Sequence, residues 1–324
     1  MSPEILVQVR DLAKSFNVGK GADRRPLMLR AVNGVSFEVA REETLGLVGE
    51  SGSGKSTIGR MLVGLLPATE GEIRLFGETV TGPGGARRLR KIRRKLQFVF
   101  QDPHASLDPR MRIGDSIAEP IDIAGGFTRK DRSDRVAELL EMVGLSGAFA
   151  DRFPHEFSGG QRQRIVIARA LALNPEFVVC DEPVSSLDVS MQAQIVNLLL
   201  DLQDRLGLSY LFIAHDLAVV RSVSRRVAVL YAGEIVEVAE KRQLYAAPKH
   251  PYTRALLSAV PRPVVGRARE PVIKGEVPSL LDRPSGCSLF ARCPHAMARC
   301  QVEAPRLREI EPGHAAACHL HDVA

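Results

Sequence analysis

The chain has 324 residues, of which 45% are hydrophobic and 25% charged, with a formal net charge of +6. That length suits one large domain plus a smaller one around a buried core, and no apolar run approaches the roughly 20 residues needed to cross a bilayer. The start, "MSPEILVQVRDLAKSF", lacks the basic-then-apolar pattern of a secretory signal, so the expectation is a cytoplasmic protein, where disulfides seldom persist, and the positive charge permits anionic partners without requiring them.

In chain order, "TLGLVG" (44–49) reads as a strand buried on both faces, and "IGRMLVGLL" after it as a helix. The basic run "RRLRKIRRK" (87–95) leads into a second buried strand, "LQFVF" (96–100). It reads as a solvated helical face, because a phosphate-binding patch would be strengthened by interleaved aromatics or Arg–Gly repeats that it lacks. A mostly helical stretch follows, including "RSDRVAELLEMVGL" (132–145), and reads as an inserted subdomain. Two further buried strands are "FVVC" (177–180) and "YLFIA" (210–214). Such runs separated by helices imply an α/β fold with a mostly parallel sheet. After "RVAVLYAGEIVEVA" (226–239), prolines at 248, 251, 261, 263, 271, 278 and 284 argue for a linker-rich appendage rather than more sheet.

Each buried strand ends in a chemically useful residue: Gly49, Gln101, Asp181 with Glu182, and His215. Ligands of open α/β sheets bind beyond the carboxyl ends of the strands. "GESGSGKST" (49–57) matches the phosphate-loop pattern, with Gly49, Gly54, Lys55 and Ser56 in the defining places. Its glycines let amide N–H groups turn inward around phosphate oxygens, and the helix start adds its dipole. Lys55 is placed to reach the β- and γ-phosphates, and the Ser56 hydroxyl to coordinate Mg²⁺. Asp181 suits a Mg²⁺-linked carboxylate and Glu182 a base for water; Cys180 is a small core residue. An acidic pair after a strand could alone be a helix-start signal, but beside a phosphate loop it reads as catalytic. "FSGGQRQR" (157–164) places a cap, Ser158, and two exposed amides, Gly159 and Gly160, at a second helix start. A second anion site is redundant within one subunit and makes sense if it serves the nucleotide of another.

With these motifs the chain resembles, over essentially its whole length, the ATP-binding subunits of ABC transporters. The resemblance implies a P-loop NTPase cassette (1–240) with an N-terminal antiparallel β subdomain and a helical subdomain at about 103–160, then a small cysteine-containing extension (241–324). It implies two cassettes packed head to tail around two ATP molecules, with Phe16, Gly49, Ser51, Gly52, Ser53, Gly54, Lys55, Ser56 and Thr57 contacting one nucleotide and Ser158, Gly159, Gly160, Gln161 and Asp188 reaching the partner's. Gln101 matches the loop glutamine at the metal, giving a Mg²⁺ set of Ser56, Gln101 and Asp181. His215 matches the switch histidine, and Phe16 the aromatic that stacks on adenine. Singly, His215 and Phe16 would read as core or surface residues; order and spacing favour the family roles. Two positions depart from the pattern: Phe157 stands for a leucine, and Glu42 replaces a turn glycine, which puts the local turn geometry in question.

"FQDPHASLDPRMRIGDSIAEP" (100–120), with Asp108 for a common asparagine, and "HPYTRALLSAVPRP" (250–263) resemble the oligopeptide/dipeptide importer branch, in its second-ATPase form. The implied activity is ATP hydrolysis driving peptide import at the cytoplasmic face of the membrane. The implied partners are a paralogous ATPase, two permeases and an extracytoplasmic peptide-binding protein, with no nucleic acid. Nickel or glutathione is an alternative cargo, and a soluble nucleic-acid-associated ATPase a more distant alternative.

Four of the five cysteines are Cys287, Cys293, Cys300 and Cys318, spaced C-x5-C-x6-C-x17-C. That spacing matches neither the compact zinc patterns nor the common ferredoxin runs. Free thiols, zinc and an iron–sulfur cluster all remain open on spacing, and a 4Fe–4S cluster on the four cysteines is what the resemblance implies. His295, His314 and His319 are close enough to serve as alternative zinc ligands, or are simply exposed polar residues.

Overall fold

The computed structural model describes residues 4–20, 25–259, 273, 275, 278–281 and 283–322. Pro261, Pro263, Pro271 and the end of the 250–263 stretch lie outside them. Among the described residues there are twelve strands: β1 (Ile5–Lys20), β2 (Pro26–Ala40), β3 (Thr44–Val48), β4 (Glu70–Leu75), β5 (Glu78–Thr79), β6 (Leu96–Val99), β7 (Phe177–Asp181), β8 (Ser209–Ala214), β9 (Arg226–Tyr231), β10 (Glu234–Glu240), β11 (Arg308–Glu311) and β12 (His314–Ala316). The described helices are α1 (Lys55–Leu62), α2 (Gly85–Ile92), α3 (Pro103–Ser106), α4 (Ile113–Ala124), α5 (Arg129–Met142), α6 (Gly159–Ala170), α7 (Val189–Leu206), α8 (Leu217–Val223), α9 (Lys241–Ala246), α10 (Pro251–Ala259) and α11 (Ala298–Val302).

Two sheets organise these elements. The larger runs β11-β12-β10-β9-β3-β8-β7-β6, and its five-strand half β9-β3-β8-β7-β6 is parallel. Strands β3, β7 and β8 are buried at every position, as expected for a sheet covered on both faces. The smaller sheet, β2-β1-β4-β5, is antiparallel. Between the sheets, Ile58 and Leu62 of α1 pack with Leu6, Val9 and Leu12 of β1 and with Leu47, Val179 and Ile213 of the central strands. On the other face, Ile113, Ile117 and Ile121 of α4 join Leu139 and Leu140 of α5 and Ile165 of α6. The chain between β6 and β7 is therefore the helical insertion that its periodicity predicts. In the basic run, Leu89 and Ile92 are buried while Arg87, Arg90, Lys91, Arg93 and Arg94 face solvent, which is a solvated helical face.

The appendage contradicts its sequence reading, because it does add sheet. Strand β12 pairs antiparallel with β10 through Glu237–Ala316, Val238–Ala315 and Ala239–His314, and β11 extends the edge. Strands of three and four residues are too short to show a period, and they form because β10 otherwise presents unpaired backbone groups. The contact is pinned by Glu237, which is fully buried. Its Oε1 accepts from the Lys249 N–H (2.7 Å) and pairs with His314 Nε2 (2.6 Å), and its Oε2 accepts from the His250 N–H (2.9 Å). Burial raises the Glu237 pKa, but His314 and the backbone N–H groups outweigh it and leave the carboxyl below its usual range. Burial pushes His250 down to about 4, in keeping with its Nδ1 accepting from the Tyr252 N–H at 3.2 Å.

Both groups bind protons more weakly folded than unfolded, so their stabilisation is complete at neutral pH and is lost on acidification. For His250 the window runs from about 6.5 down to about 4, and about 3 kcal/mol is at stake for a shift of that size. Thermal melts are expected to be level above pH 7 and to fall steadily below pH 6.5. A His250→Asn variant is expected to flatten that dependence.

The turn before β3 also resolves the Glu42 departure. Glu42 takes φ +59° where glycine would be unstrained, at a cost of roughly 1–2 kcal/mol. Its N–H donates to Ser209 Oγ (2.7 Å) and its carbonyl accepts from Gln203 Nε2 (3.1 Å), which hold the turn.

Candidate functional site

The carboxyl ends of β3, β6, β7 and β8 lie side by side, and the loops leaving them form one site. The 49–54 loop wraps tightly: a Cβ on Gly49 would come within 2.1 Å of the Leu230 carbonyl oxygen, and one on Gly54, at φ +105°, within 2.5 Å of the Ala31 oxygen. Only glycine leaves this space open. Helix α1 starts at Lys55 without any side-chain cap, so its first N–H groups are available to an anion. Ser51 and Gly52 are exposed at the tip, Ser53 is buried, and Ser56 and Thr57 are half-buried on the first turn.

Lys55 is 4% exposed, and its Nζ donates to the carbonyls of Gly49 (2.8 Å) and Glu50 (3.0 Å). Burial holds its pKa below the usual lysine range, against the pull of Glu182, Asp181 and Glu50. The Ser56 hydroxyl donates to Asp181 Oδ1 at 2.7 Å. Burial raises the Asp181 pKa above the usual carboxylate range despite that bond, so a hard cation there would favour its charged form. Glu182 Oε2 accepts from Gln101 Nε2 (3.2 Å) and meets His215 Nδ1 at 3.3 Å. Three sequence-predicted catalytic residues thus gather on one oxygen. Glu182 itself has φ +49°, a strained backbone of the kind held at functional sites, and its N–H donates to the Ile213 carbonyl (2.9 Å).

A magnesium nucleotide fits this set. Ser53 Oγ is buried without a hydrogen-bond partner, the first N–H groups of α1 carry no side-chain cap, and the hydroxyl, carboxylate and amide groups at the strand ends are oxygen ligands of the type Mg²⁺ takes.

Phe16 lies in the other sheet, on β1, half-buried with Lys14 Nζ 5.1 Å from its ring centre. The SGGQ residues sit apart from the loop's hydrogen bonds: Ser158 is exposed and Gly159 and Gln161 are half-buried, whereas Gly160, expected to be exposed, is buried against Met191. Ser158 and Gln161 close a capping box at the start of α6: Ser158 Oγ accepts from the Gln161 N–H (3.3 Å), and Gln161 Oε1 from the Ser158 N–H (2.9 Å). Asp188 caps α7 through the Met191 N–H (2.9 Å). The two helix starts adjoin, since a Cβ on Gly160 would meet the Met191 side chain. Phe157 is buried against Phe149, with ring centres 5.7 Å apart, so the leucine-to-phenylalanine departure is absorbed by packing. Cys180 is fully buried core.

In the extension, Cys287, Cys293, Cys300 and Cys318 line one cavity of about 10 Å³ together with His250 and His319. The donors are of the right type for a thiolate-held metal. Among the described residues, however, no group of three or more His, Cys, Asp or Glu is arranged to hold one, so the 4Fe–4S expectation gains no support here. Burial pushes the Cys287 thiol up to about 11, which suits neutral packed thiols. Two of the three candidate histidines are buried rather than exposed: His314 is spent on Glu237, and His319 binds Asp322 (2.9 Å) and the Glu303 carbonyl (3.0 Å). Sequence reasoning missed Glu50, Tyr252 and Arg292, which meet at the phosphate loop; no motif links residues so far apart in the chain.

Loop, strand ends and the SGGQ helix start together define a P-loop NTPase cassette. Residues 32–185 match the ABC transporter family, and residues 236–300 match the family described as oligopeptide/dipeptide transporter, C-terminal region. A putative peptide import ATP-binding protein of Brucella abortus is 64% identical over 318 residues, covering 98% of this chain and 95% of that protein. One of Brucella ovis is 51% identical, covering 98% of each. Among solved structures, a dimeric ATP-binding cassette in a post-hydrolysis state with ADP and Pi superposes with a TM-score of 0.65 at 31% identity, over 73% of this chain and 99% of that one. A component of an ABC transporter complex from Clostridium perfringens shares the fold, with a TM-score of 0.64 at 24% identity over 75% and 92%. The chain belongs to the ABC transporter ATP-binding family, and it is an ATPase.

Proposed function

We propose that this ATPase drives import of di- and oligopeptides. The observation that carries the catalytic part is the convergence of Gln101 and His215 on Glu182 Oε2, beside the Ser56–Asp181 pair and Lys55. Lys55 and the loop N–H groups hold the β- and γ-phosphates. Ser56, Asp181 and Gln101 hold Mg²⁺, which when bound neutralises phosphate charge. Glu182 takes the proton of the attacking water, and His215 fixes the carboxylate's orientation. Phe16 stacks on the base. Ser158 to Gln161, with Asp188, complete the site of a facing cassette, a reading supported by the exposure of Ser158 and the open space beside Gly159 at the start of α6.

Peptide as cargo is supported by the names of the relatives and by the matched C-terminal region. The partners are a paralogous ATPase, two permeases and an extracytoplasmic binding protein, with the chain at the cytoplasmic face. The cassette ends near residue 240, although its sheet runs on into the extension. For the four cysteines we propose a thiolate-held metal centre, a 4Fe–4S cluster ahead of zinc, on the family resemblance alone: the four line one cavity, but among the described residues no group is arranged to hold a metal.

Deleting the gene is expected to abolish uptake of labelled di- and tripeptides and leave nickel and glutathione uptake unchanged. Loss of either of those instead, or ATPase activity stimulated by DNA or RNA, overturns the peptide reading. Iron, sulfide and zinc analysis of anaerobically purified complex tests the metal centre; absence of all three overturns it.

A further inference from the structure

The phosphate loop is held from outside the cassette. Glu50, its second residue, has both carboxylate oxygens on Arg292: Nη1 donates to Oε2 at 3.1 Å and Nη2 to Oε1 at 3.3 Å. The Glu50 N–H donates to the Tyr252 hydroxyl at 2.9 Å, and its carbonyl accepts from Lys55 Nζ at 3.0 Å. Arg292 also donates to the Tyr231 hydroxyl (3.2 Å), and the Tyr231 and Tyr252 rings lie 4.5 Å apart. The Arg292 side chain is 10% exposed and that of Glu50 32%, so water screens this pairing only in part.

Both holding residues belong to the extension. Arg292 sits in the turn between Cys287 and Cys293, closed by Phe290 N–H to the Cys287 carbonyl and Arg292 N–H to the Leu289 carbonyl, each 2.9 Å. Tyr252 is on α10, two residues past His250, and His250, Cys287 and Cys293 line the same cavity. The loop is therefore tied, through two side chains, to the two chain segments that line the four-cysteine pocket.

A carboxylate inside a phosphate loop is an electrostatic liability. Left unpaired, Glu50 would place an uncompensated negative charge in the loop that holds the triphosphate and repel it. A bidentate guanidinium cancels that charge and fixes the loop's direction at once. We propose that Arg292 and Tyr252 are positioning residues of the nucleotide site: they neutralise Glu50 and pre-set the backbone from which Lys55 reaches phosphate, so the extension is part of the ATP-binding machinery. This rests on the reading of residues 49–57 as the nucleotide loop.

The test is ATP titration of the purified full-chain complex. Arg292→Gln is expected to raise the KM for ATP roughly 5- to 50-fold while kcat changes by less than about twofold, the pattern of lost binding rather than lost chemistry. Arg292→Lys, which keeps the charge but not the fork, is expected to recover part of the loss. The double variant Glu50→Gln with Arg292→Gln is expected to recover more, because it removes the repulsion. A merely structural role would lower the melting temperature and leave the KM unmoved. If Arg292→Gln does not fold, Tyr252→Phe removes only the hydroxyl and is expected to raise the KM more modestly. An unchanged KM in the folded variants, or a fall in kcat alone, overturns the proposal. Lys55→Ala run in parallel separates the two readings: if it still binds ATP, the assignment of the loop fails; if it does not and the Arg292 variants match the parent, only the positioning role fails.

Discussion

Replacing Glu182 by glutamine is expected to leave ATP binding intact and cut turnover roughly 10²- to 10⁴-fold, the usual cost of losing a general base. The amide is nearly isosteric, so Gln101 and His215 keep a partner at the position of Oε2, and the N–H bond from residue 182 to the Ile213 carbonyl is untouched. The phosphate loop, Ser56 and Asp181 are not altered, so the nucleotide is held as before. What is lost is the carboxylate's ability to take a proton. ATP therefore stays uncleaved, and cassette pairs should accumulate as an ATP-dependent dimer visible by gel filtration, alongside a collapsed rate of phosphate release. Parent-level turnover in the variant would remove Glu182 from the base role and leave a water-positioning role for its neighbours.

The residues that make this prediction possible were legible because they lie at ends of buried strands. A run such as "FVVC", short and bounded by helical patterns, reads as a strand covered on both faces, and the sheet's topology then fixes where Asp181 and Glu182 emerge. The phosphate loop was legible for the same kind of reason, since Gly49 and Gly54 stand where backbone atoms leave no room for Cβ. What stayed hidden depends on distant pairs. Arg292 and Glu50 are separated by 242 positions, and nothing local in either segment announces the other. The same holds for Glu237 and His314, whose bond carries the last strands onto the sheet. Strand β12 spans three residues, so its existence is decided by the open edge of β10 rather than by its own sequence. The cysteine spacing posed the opposite problem: it drew attention to one place correctly, and all four side chains do share a cavity, but spacing fixes no geometry around a metal.

Gly159→Asp is expected to abolish ATPase activity in the assembled dimer, by roughly 10²-fold or more, while leaving the folded monomer as stable as the parent. The structure makes this separation possible. A Cβ at Gly159 would meet only Leu187, at an ordinary 3.6 Å, and its φ is not in the left-handed region. A carboxylate in the first turn of α6 is favourable to the helix itself, because it faces the positive end of the dipole. The capping box of Ser158 and Gln161 is undisturbed, since it uses neither the side chain nor the N–H of residue 159. The harm arises only if a phosphate of a facing cassette has to occupy that helix start, where a second negative charge would repel it at close range. ATP binding by the variant's own phosphate loop should therefore remain, and the melting temperature should hold or rise. Gly159→Asn, with the same shape and no charge, is expected to lose much less activity. If the aspartate variant instead hydrolyses ATP at the parent rate in the presence of its partner ATPase, α6 does not face a nucleotide. In that case the exposure of Ser158 at the start of α6 needs an explanation other than a site shared between subunits.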